Sequence, residues 1–203
     1  MGNNKEGKTE ADILKAAKRI FERKGMFGTR MQEIADEAGI NKALLHYYYR
    51  SKQLLFEAVF TQAFGIMAPK LEAIINSELS LEEKIRGFSA NYITFISKHP
   101  YLPNFIIQEL NNNPKFLEKL VDNNKFPDFS GFNKQVLQMI DNKDIRPIDP
   151  NQLFINIMCL NVFPFIGAPL LKGLTQTNDT EYQLLIDERK TQVADFIINA
   201  IKL

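Results

Sequence analysis

Cysteine, histidine and net charge are all scarce in this sequence. Cys159 is the single cysteine of 203 residues, which excludes an internal disulfide framework and a cysteine-based zinc site. In the apolar run 155–160 it reads as a small core residue. His46 and His99 are the only imidazoles, with no Glu-x-x-His pair to hold a metal and no glycine-rich loop to cradle a phosphate. His99 falls at a predicted helix end, where a cation complements the dipole. Glu82-Glu83 and Asp187-Glu188 read as solvated helix faces rather than acid–base pairs. No catalytic residue, metal site or cofactor is therefore expected, and the chain does not read as an enzyme.

A targeting segment is not expected either. Residues 1–8 are polar, and Glu6 stands where a myristoylation motif requires Ser or Thr; the expected compartment is the cytoplasm. Residues 151–171 carry no charge and match the roughly 20 residues needed to cross a bilayer. Yet Asn151, Gln152, Asn156 and Asn161 would be costly in lipid, and Pro164 and Pro169 interrupt the backbone. The segment reads as one helix buried in protein on nearly all sides, with no membrane partner.

What charge there is lies unevenly. Lys and Arg number 25 against 24 Asp and Glu, a net +1, but residues 1–53 hold 11 against 7 and the remainder 14 against 17. A basic head on a slightly acidic body is the asymmetry to explain.

The dominant hydrophobic period is helical and no alternating strand pattern appears, so the fold class is all-α. Helix starts are marked by Thr9-x-x-Asp12, Ser80-x-x-Glu83, Asp149-Pro150 and Asn178-x-x-Glu181. Gly25 marks a stop. The pattern predicts about nine helices, at 9–24, 31–38, 42–48, 52–75, 80–98, 101–111, 127–142, 150–171 and 179–201, with a further helical turn within 112–126. Pro69 should kink or end the fourth. The domain expectation is a flexible arm at 1–8, a head at 9–53 and a body at 54–203.

Two short helices in the head are joined at Gly39, where the chain must reverse within a few residues and glycine tolerates positive φ. Ile34 and Ala35 on the first and Leu45 and Tyr49 on the second face inward, Ala35 allowing a steep close crossing. Asn41 is placed to cap the second helix. This is the recipe of a helix-turn-helix. With Leu45 and Tyr49 buried, Lys42, Ala43, Leu44, His46, Tyr47 and Tyr48 are left outside beside Arg50 and Lys52. Lys, Asn and Tyr can donate to phosphates or base edges, and Ala and Leu can touch thymine methyl groups. The alternative is that the tyrosines only pack the small domain.

The stretch 13–59 resembles the DNA-binding domain of the TetR (TetR/AcrR) family of bacterial transcriptional regulators. The resemblance is carried by Ala16-Ala17, Phe21, Gly25, Thr29-x-Met31-x-x-Ile34-Ala35-x-x-Ala38-Gly39-Ile40-x-Lys42-x-x-Leu45-x-x-Tyr48-Tyr49-x-Ser51-Lys52-x-x-Leu55. It implies that Arg30 and Lys52 hold phosphates and that Asn41 anchors the third helix. It further implies that Lys42, Ala43, Leu44 and Tyr47 read bases while Tyr48 touches the backbone. Ala43-Leu44 departs from the family's common Gly-Thr, His46 from tyrosine, Tyr49 from phenylalanine and Gln53 from glutamate. The first two departures alter which bases can be read.

Fourteen of the 16 phenylalanines follow residue 53. Rings on facing helices are either core or the lining of a pocket. The resemblance implies an effector held among the body helices, with Phe88, Asn91, Tyr92, Phe95, Phe105, Gln108, Phe132, Met139, Asn156 and Cys159 as the candidate lining. An apolar cavity with a few amides suits a hydrophobic or amphipathic molecule. The helices at 150–171 and 179–201 fit a homodimer interface, with Phe154, Met158, Phe165, Tyr182, Ile186, Arg189, Val193, Phe196 and Ile197 as its candidates. The functional expectation is a repressor binding a palindromic double-stranded DNA operator and released by a small hydrophobic molecule. A binding bundle with a lapsed DNA head, or an activator, are the alternatives.

Overall fold

The computed structural model describes residues 3–104, 106, 107 and 128–203. Among the described residues the chain forms nine helices and no strand. They are α1 (Asn3–Lys24), α2 (Met31–Glu37), α3 (Lys42–Tyr48), α4 (Lys52–Ile75), α5 (Leu81–Lys98), α6 (Ser130–Asp141), α7 (Pro150–Ile166), α8 (Ala168–Thr175) and α9 (Asp179–Ile201). Helical backbone also occurs at 102–104 and 106–107. Phe105, Gln108 and the segment 112–126 lie outside the described residues.

Capping explains most of the boundaries. Ser80 accepts from the Glu83 amide while the Glu83 carboxylate accepts from the Ser80 amide, and Asn178 with Glu181 repeats the arrangement. Asp149 Oδ1 accepts from the amides of Asn151 and Gln152, ahead of Pro150 in the first turn. At the N-terminus the outcome differs. The backbone is helical from Asn3, so Thr9 lies inside α1.

The chain divides into two compact units, Met1–Ile66 and Met67–Leu203. The boundary falls inside α4 and not at its start, because Leu55, Phe56, Val59 and Phe60 are buried in the first unit, with Phe56 against Phe21 at 4.5 Å between ring centroids. Helix α4 continues through Pro69 to Ile75. By length and composition it could cross a membrane, but Leu55, Phe56, Val59, Phe60, Ala63, Met67, Leu71 and Ile75 recur at helical spacing and are covered by protein.

In the second unit, α9 packs most extensively on α5, and α7 lies against α5, α6 and α9. Asn161 and Ser89 are both fully buried and joined at 3.1 Å, with Asn161 also donating to the Ile157 carbonyl. The bond donated to Ser89 ties α7 to α5 in one register, while Asn161 Oδ1 is buried without a partner. Phe154 sits amid Phe88, Phe129 and Phe132, with the Phe129 ring centroid 4.1 Å away.

The predicted helix 150–171 is two helices, α7 and α8, bent by 79° at Gly167. Proline is the reason. Pro169 has no amide to donate to the Phe165 carbonyl, and the chain turns there to start α8. Pro164 is carried inside α7 because the carbonyl it orphans, that of Leu160, is taken by Nε and Nη2 of Arg189 at 3.1 and 2.9 Å. The Tyr182 hydroxyl donates to the Pro164 carbonyl at 2.8 Å, where the bend removes the helical partner. Nor is the segment covered all round, since Ile155, Phe163, Leu170 and Leu174 are exposed. Cys159 is exposed as well, on the α7 face of Ile155 and Phe163 and away from Leu153, Ile157 and Asn161. It is not a core residue.

Candidate nucleic-acid interface

The first unit is assembled around α3. Leu45 and Ile34 are fully buried with Ala35, and the Ile40 amide donates to the Ala35 carbonyl at 3.0 Å, closing the turn. Gly39 adopts φ +67°, which a side chain would strain. Asn41 Oδ1 accepts from the Leu44 amide at 2.8 Å and caps α3.

At the other end, the buried Tyr49 is the C-cap, and its hydroxyl donates to Glu10 Oε1 of α1 at 3.0 Å. Burial first, then the Glu10 carboxylate, raises the phenol above its ordinary range, so it stays a donor. Helix α3 is thus fixed at both ends and along one face.

The opposite face is open. Lys42, Ala43 and His46 are exposed, Leu44 is 37% exposed and Tyr47 76% exposed. Tyr48 is half-buried with its ring edge-on to Tyr47, centroids 5.5 Å apart. A large apolar or aromatic group on a rigid small helix has no folding role at that exposure.

Electrostatics separate two kinds of cation. Lys24 pairs with Glu33 at 2.5 Å, and Arg19 and Arg23 pair with Glu37 at 3.2 and 3.5 Å. These bridges join α1 to α2 and consume that charge. The Lys24 ammonium, then the Arg30 amide, hold the Glu33 carboxyl below its usual range. Arg30, Lys42 and Arg50 are exposed and form no ion pair among the described residues. Arg30 precedes α2, with its amide donating to Glu33 at 3.0 Å.

Lys52 has a second task beyond the expected one. Its ammonium donates to the carbonyls of Thr29 at 2.9 Å and Phe27 at 3.5 Å, tying the α1–α2 loop to the first turn of α4. The loop is tight. A Cβ on Gly28 would lie 2.5 Å from the Lys24 carbonyl, and the buried Thr29 hydroxyl donates to the Gly25 carbonyl at 2.6 Å. Two donated bonds leave one ammonium hydrogen for an anion. The sequence signal for this role was a lysine at the first position of α4, but its partners are brought together only by folding.

The candidate effector residues do not form one set. Phe88, Tyr92 and Phe132 are buried, and the Phe88 and Phe132 rings pack with Phe154 in the core. Asn91 and Phe95 line a groove with Met67, Lys70, Leu71 and Lys98. Met139 is half-buried on α6. Asn156 and Cys159 lie instead on an apolar groove between α7 and α9, with Leu160, Phe196 and Ala200.

The candidate interface residues also divide. Phe154, Ile186, Val193 and Ile197 are covered by the chain's own core or engaged in its aromatic cluster, and Tyr182 and Arg189 serve the carbonyls near Pro164. Met158 and Phe165 are half-buried, and Phe196 is 65% exposed. Helix α9 carries apolar residues on two faces. One holds Ile186, Val193, Ala194, Ile197, Ile198 and Ile201 inward, and the other leaves Leu185 and Phe196 in solvent.

Fold and site define a helix-turn-helix head followed by a body that is helical among the described residues. Residues 13–59 match the family of bacterial regulatory proteins described as tetR family. The chain is 43% identical over 61 residues to the HTH-type transcriptional regulator RutR of Escherichia coli, covering 30% of this chain and 29% of RutR. It is 30% identical over 94 residues to the HTH-type transcriptional repressor NicS of Pseudomonas putida, covering 46% and 44%. The chain thus spans less than half the length of these relatives. Two solved structures follow nearly the whole chain. HlyIIR, a hemolysin II transcriptional regulator, has a TM-score of 0.63 at 22% identity, covering 97% of this chain and 98% of that one. A TetR/AcrR-family regulator from Thermobifida fusca has a TM-score of 0.62 at 16% identity, covering 91% and 96%. At those identities the likeness is one of fold. The family match is confined to the head, residues 13–59, and over the rest of the chain the likeness is one of fold.

Proposed function

We propose that this protein is a cytoplasmic, homodimeric transcriptional repressor that binds a palindromic operator and is released by a small amphipathic molecule. The observation that carries the reading is α3, a helix anchored by Leu45 and Tyr49 that presents Lys42, Ala43, Leu44, His46 and Tyr47 together. Lys42 and Tyr47 donate to base edges or phosphates, and Ala43 and Leu44 meet thymine methyl groups. Arg30, Asn41, Tyr48 and Lys52 position the head on the backbone. The names of NicS as a repressor and RutR as a regulator support that direction.

One such helix contacts too few base pairs for a specific operator, so a second copy is needed, with the two recognition helices about 34–36 Å apart. The exposed apolar residues of α7 and α9, Ile155, Phe163, Leu185 and Phe196, are the surface for it. A two-fold contact of these faces closes on itself.

The effector site best supported is the groove of Met67, Lys70, Leu71, Asn91, Phe95 and Lys98, which combines apolar side chains with two lysines. It suits an apolar body ending in an acid. Release follows from linkage: a ligand that favours the DNA-incompetent arrangement weakens operator binding by the factor that the operator weakens ligand binding, typically about 5- to 150-fold.

The test is selection of a random duplex pool at near-physiological salt, followed by sequencing of what the purified protein retains. An enriched palindrome is expected, with half-sites about one helical turn apart. Retention without sequence enrichment would sink the reading.

A further inference from the structure

A second polar site lies away from the effector groove and the α7–α9 surface. It is formed where α4 ends, α5 begins and α6 crosses, and its lining includes Asn76, Glu78, Lys84, Lys134, Gln135 and Gln138. Lys84 is the anomaly. The residue is 4% exposed, on the inward face of α5 beside Leu81 and Ile85, and its ammonium makes no hydrogen bond or ion pair among the described residues. Its stem is covered by protein while its ammonium reaches the groove without a protein partner, which leaves a partly desolvated charge open to an anion there. Its burial pulls it below the usual lysine range, and Glu78 on the exposed rim offsets only part of that.

The same groove holds an unmet acceptor. Gln135 Nε2 donates to the Leu79 carbonyl at 3.0 Å, which sets the orientation of the amide. Gln135 Oε1 is then buried with no partner. Asn76 is already committed to the Asp128 carbonyl at 3.1 Å. Gly131 keeps the α6 wall open, since a Cβ there would lie 3.2 Å from Asn76 Oδ1. The space is about 340 Å³, enough for a small organic anion.

We infer that this groove binds a small carboxylate carrying an adjacent hydroxyl or amino group. The carboxylate accepts from Lys84 at the floor, with Lys134 supplying a second positive charge at the wall. The neighbouring hydroxyl or ammonium donates to Gln135 Oε1, and an ammonium also gains from Glu78. A carboxylate alone would satisfy Lys84 and leave Gln135 unmet. The site requires neither DNA nor the effector, so it stands or falls apart from the regulatory reading.

Calorimetric titration of the full chain with glycine, lactate, acetate and inorganic phosphate tests it. Glycine or lactate should bind, with acetate weaker by about tenfold or more because it brings no donor. Lys84→Met should lose binding by about tenfold or more and, since it keeps the apolar stem and removes only a partly desolvated charge without a partner, should melt no lower than the parent without ligand. Gln135→Glu offers an internal carboxylate to Lys84 and should abolish binding while remaining helical. Failure of both glycine and lactate to bind overturns the assignment. So does binding that survives Lys84→Met, acetate equal to its donor-bearing analogues, or phosphate binding more tightly than either carboxylate.

Discussion

The Tyr49 hydroxyl donates to Glu10 Oε1 at 3.0 Å, joining the C-cap of α3 to a helix 39 positions earlier in the chain. The family's common phenylalanine at this position would fill the space without making the bond. Tyr49→Phe should therefore destabilise the first unit by about 0.5–1.5 kcal/mol, the usual net value of such a bond. Thermal or urea denaturation followed by circular dichroism would show it, and an unchanged midpoint would mean the bond carries nothing.

Tyr47 offers the opposite case. It is 76% exposed and its removal costs no core packing. Tyr47→Ala should leave stability within about 0.5 kcal/mol and weaken operator binding more than binding to random duplex. Equal loss on both would take it off the bases.

Lys52→Ala should act twice. Loss of one phosphate contact flattens the dependence of log K on log salt by about one unit. Loss of the donor to the Thr29 and Phe27 carbonyls should also lower the melting temperature of the head. An unchanged salt slope with a lowered melting point would assign Lys52 to the loop alone.

Phe196→Glu places a charge on the outward face of α9, in a residue 65% exposed in the single chain. Sedimentation should show monomers, and operator affinity should fall by a factor of about ten or more, because one head lacks the contacts for a specific site. A dimer that survives would move the interface elsewhere.

Acid should loosen the α1–α2 pairing. The Glu33 carboxyl is held below its unfolded value of 4.5 by Lys24 and by the Arg30 amide. A carboxyl with a depressed folded-state pKa contributes stability that is present above its unfolded value and is lost as pH falls through the folded one. The window is therefore below about 4.5, and Glu33→Gln should make the head's melting temperature less dependent on pH there. An equally steep profile in the variant would place the acid sensitivity on other carboxylates.

Local chemistry was legible in the sequence wherever partners lie within a few residues. Ser80 with Glu83, Asn178 with Glu181, Asp149 before Pro150 and Asn41 before α3 all form the caps their spacing predicts. The helix-turn-helix belongs to that group, since Gly39, Ala35 and Leu45 specify it within one turn and two short helices. Thr9 failed as a cap because a helix continues wherever nothing upstream stops it.

Only the tertiary structure decided which apolar residues are inside. Periodicity showed that α9 has an apolar face but not that Phe196 points away from Ile197, because neighbours in sequence sit about 100° apart on a helix and only packing against α5 selects the arc. It likewise turned Tyr182 and Arg189 to the carbonyls near Pro164, drew Lys52 to the loop and left Lys84 without a partner. Each of those depends on groups far apart in the chain, and no spacing rule reaches that far.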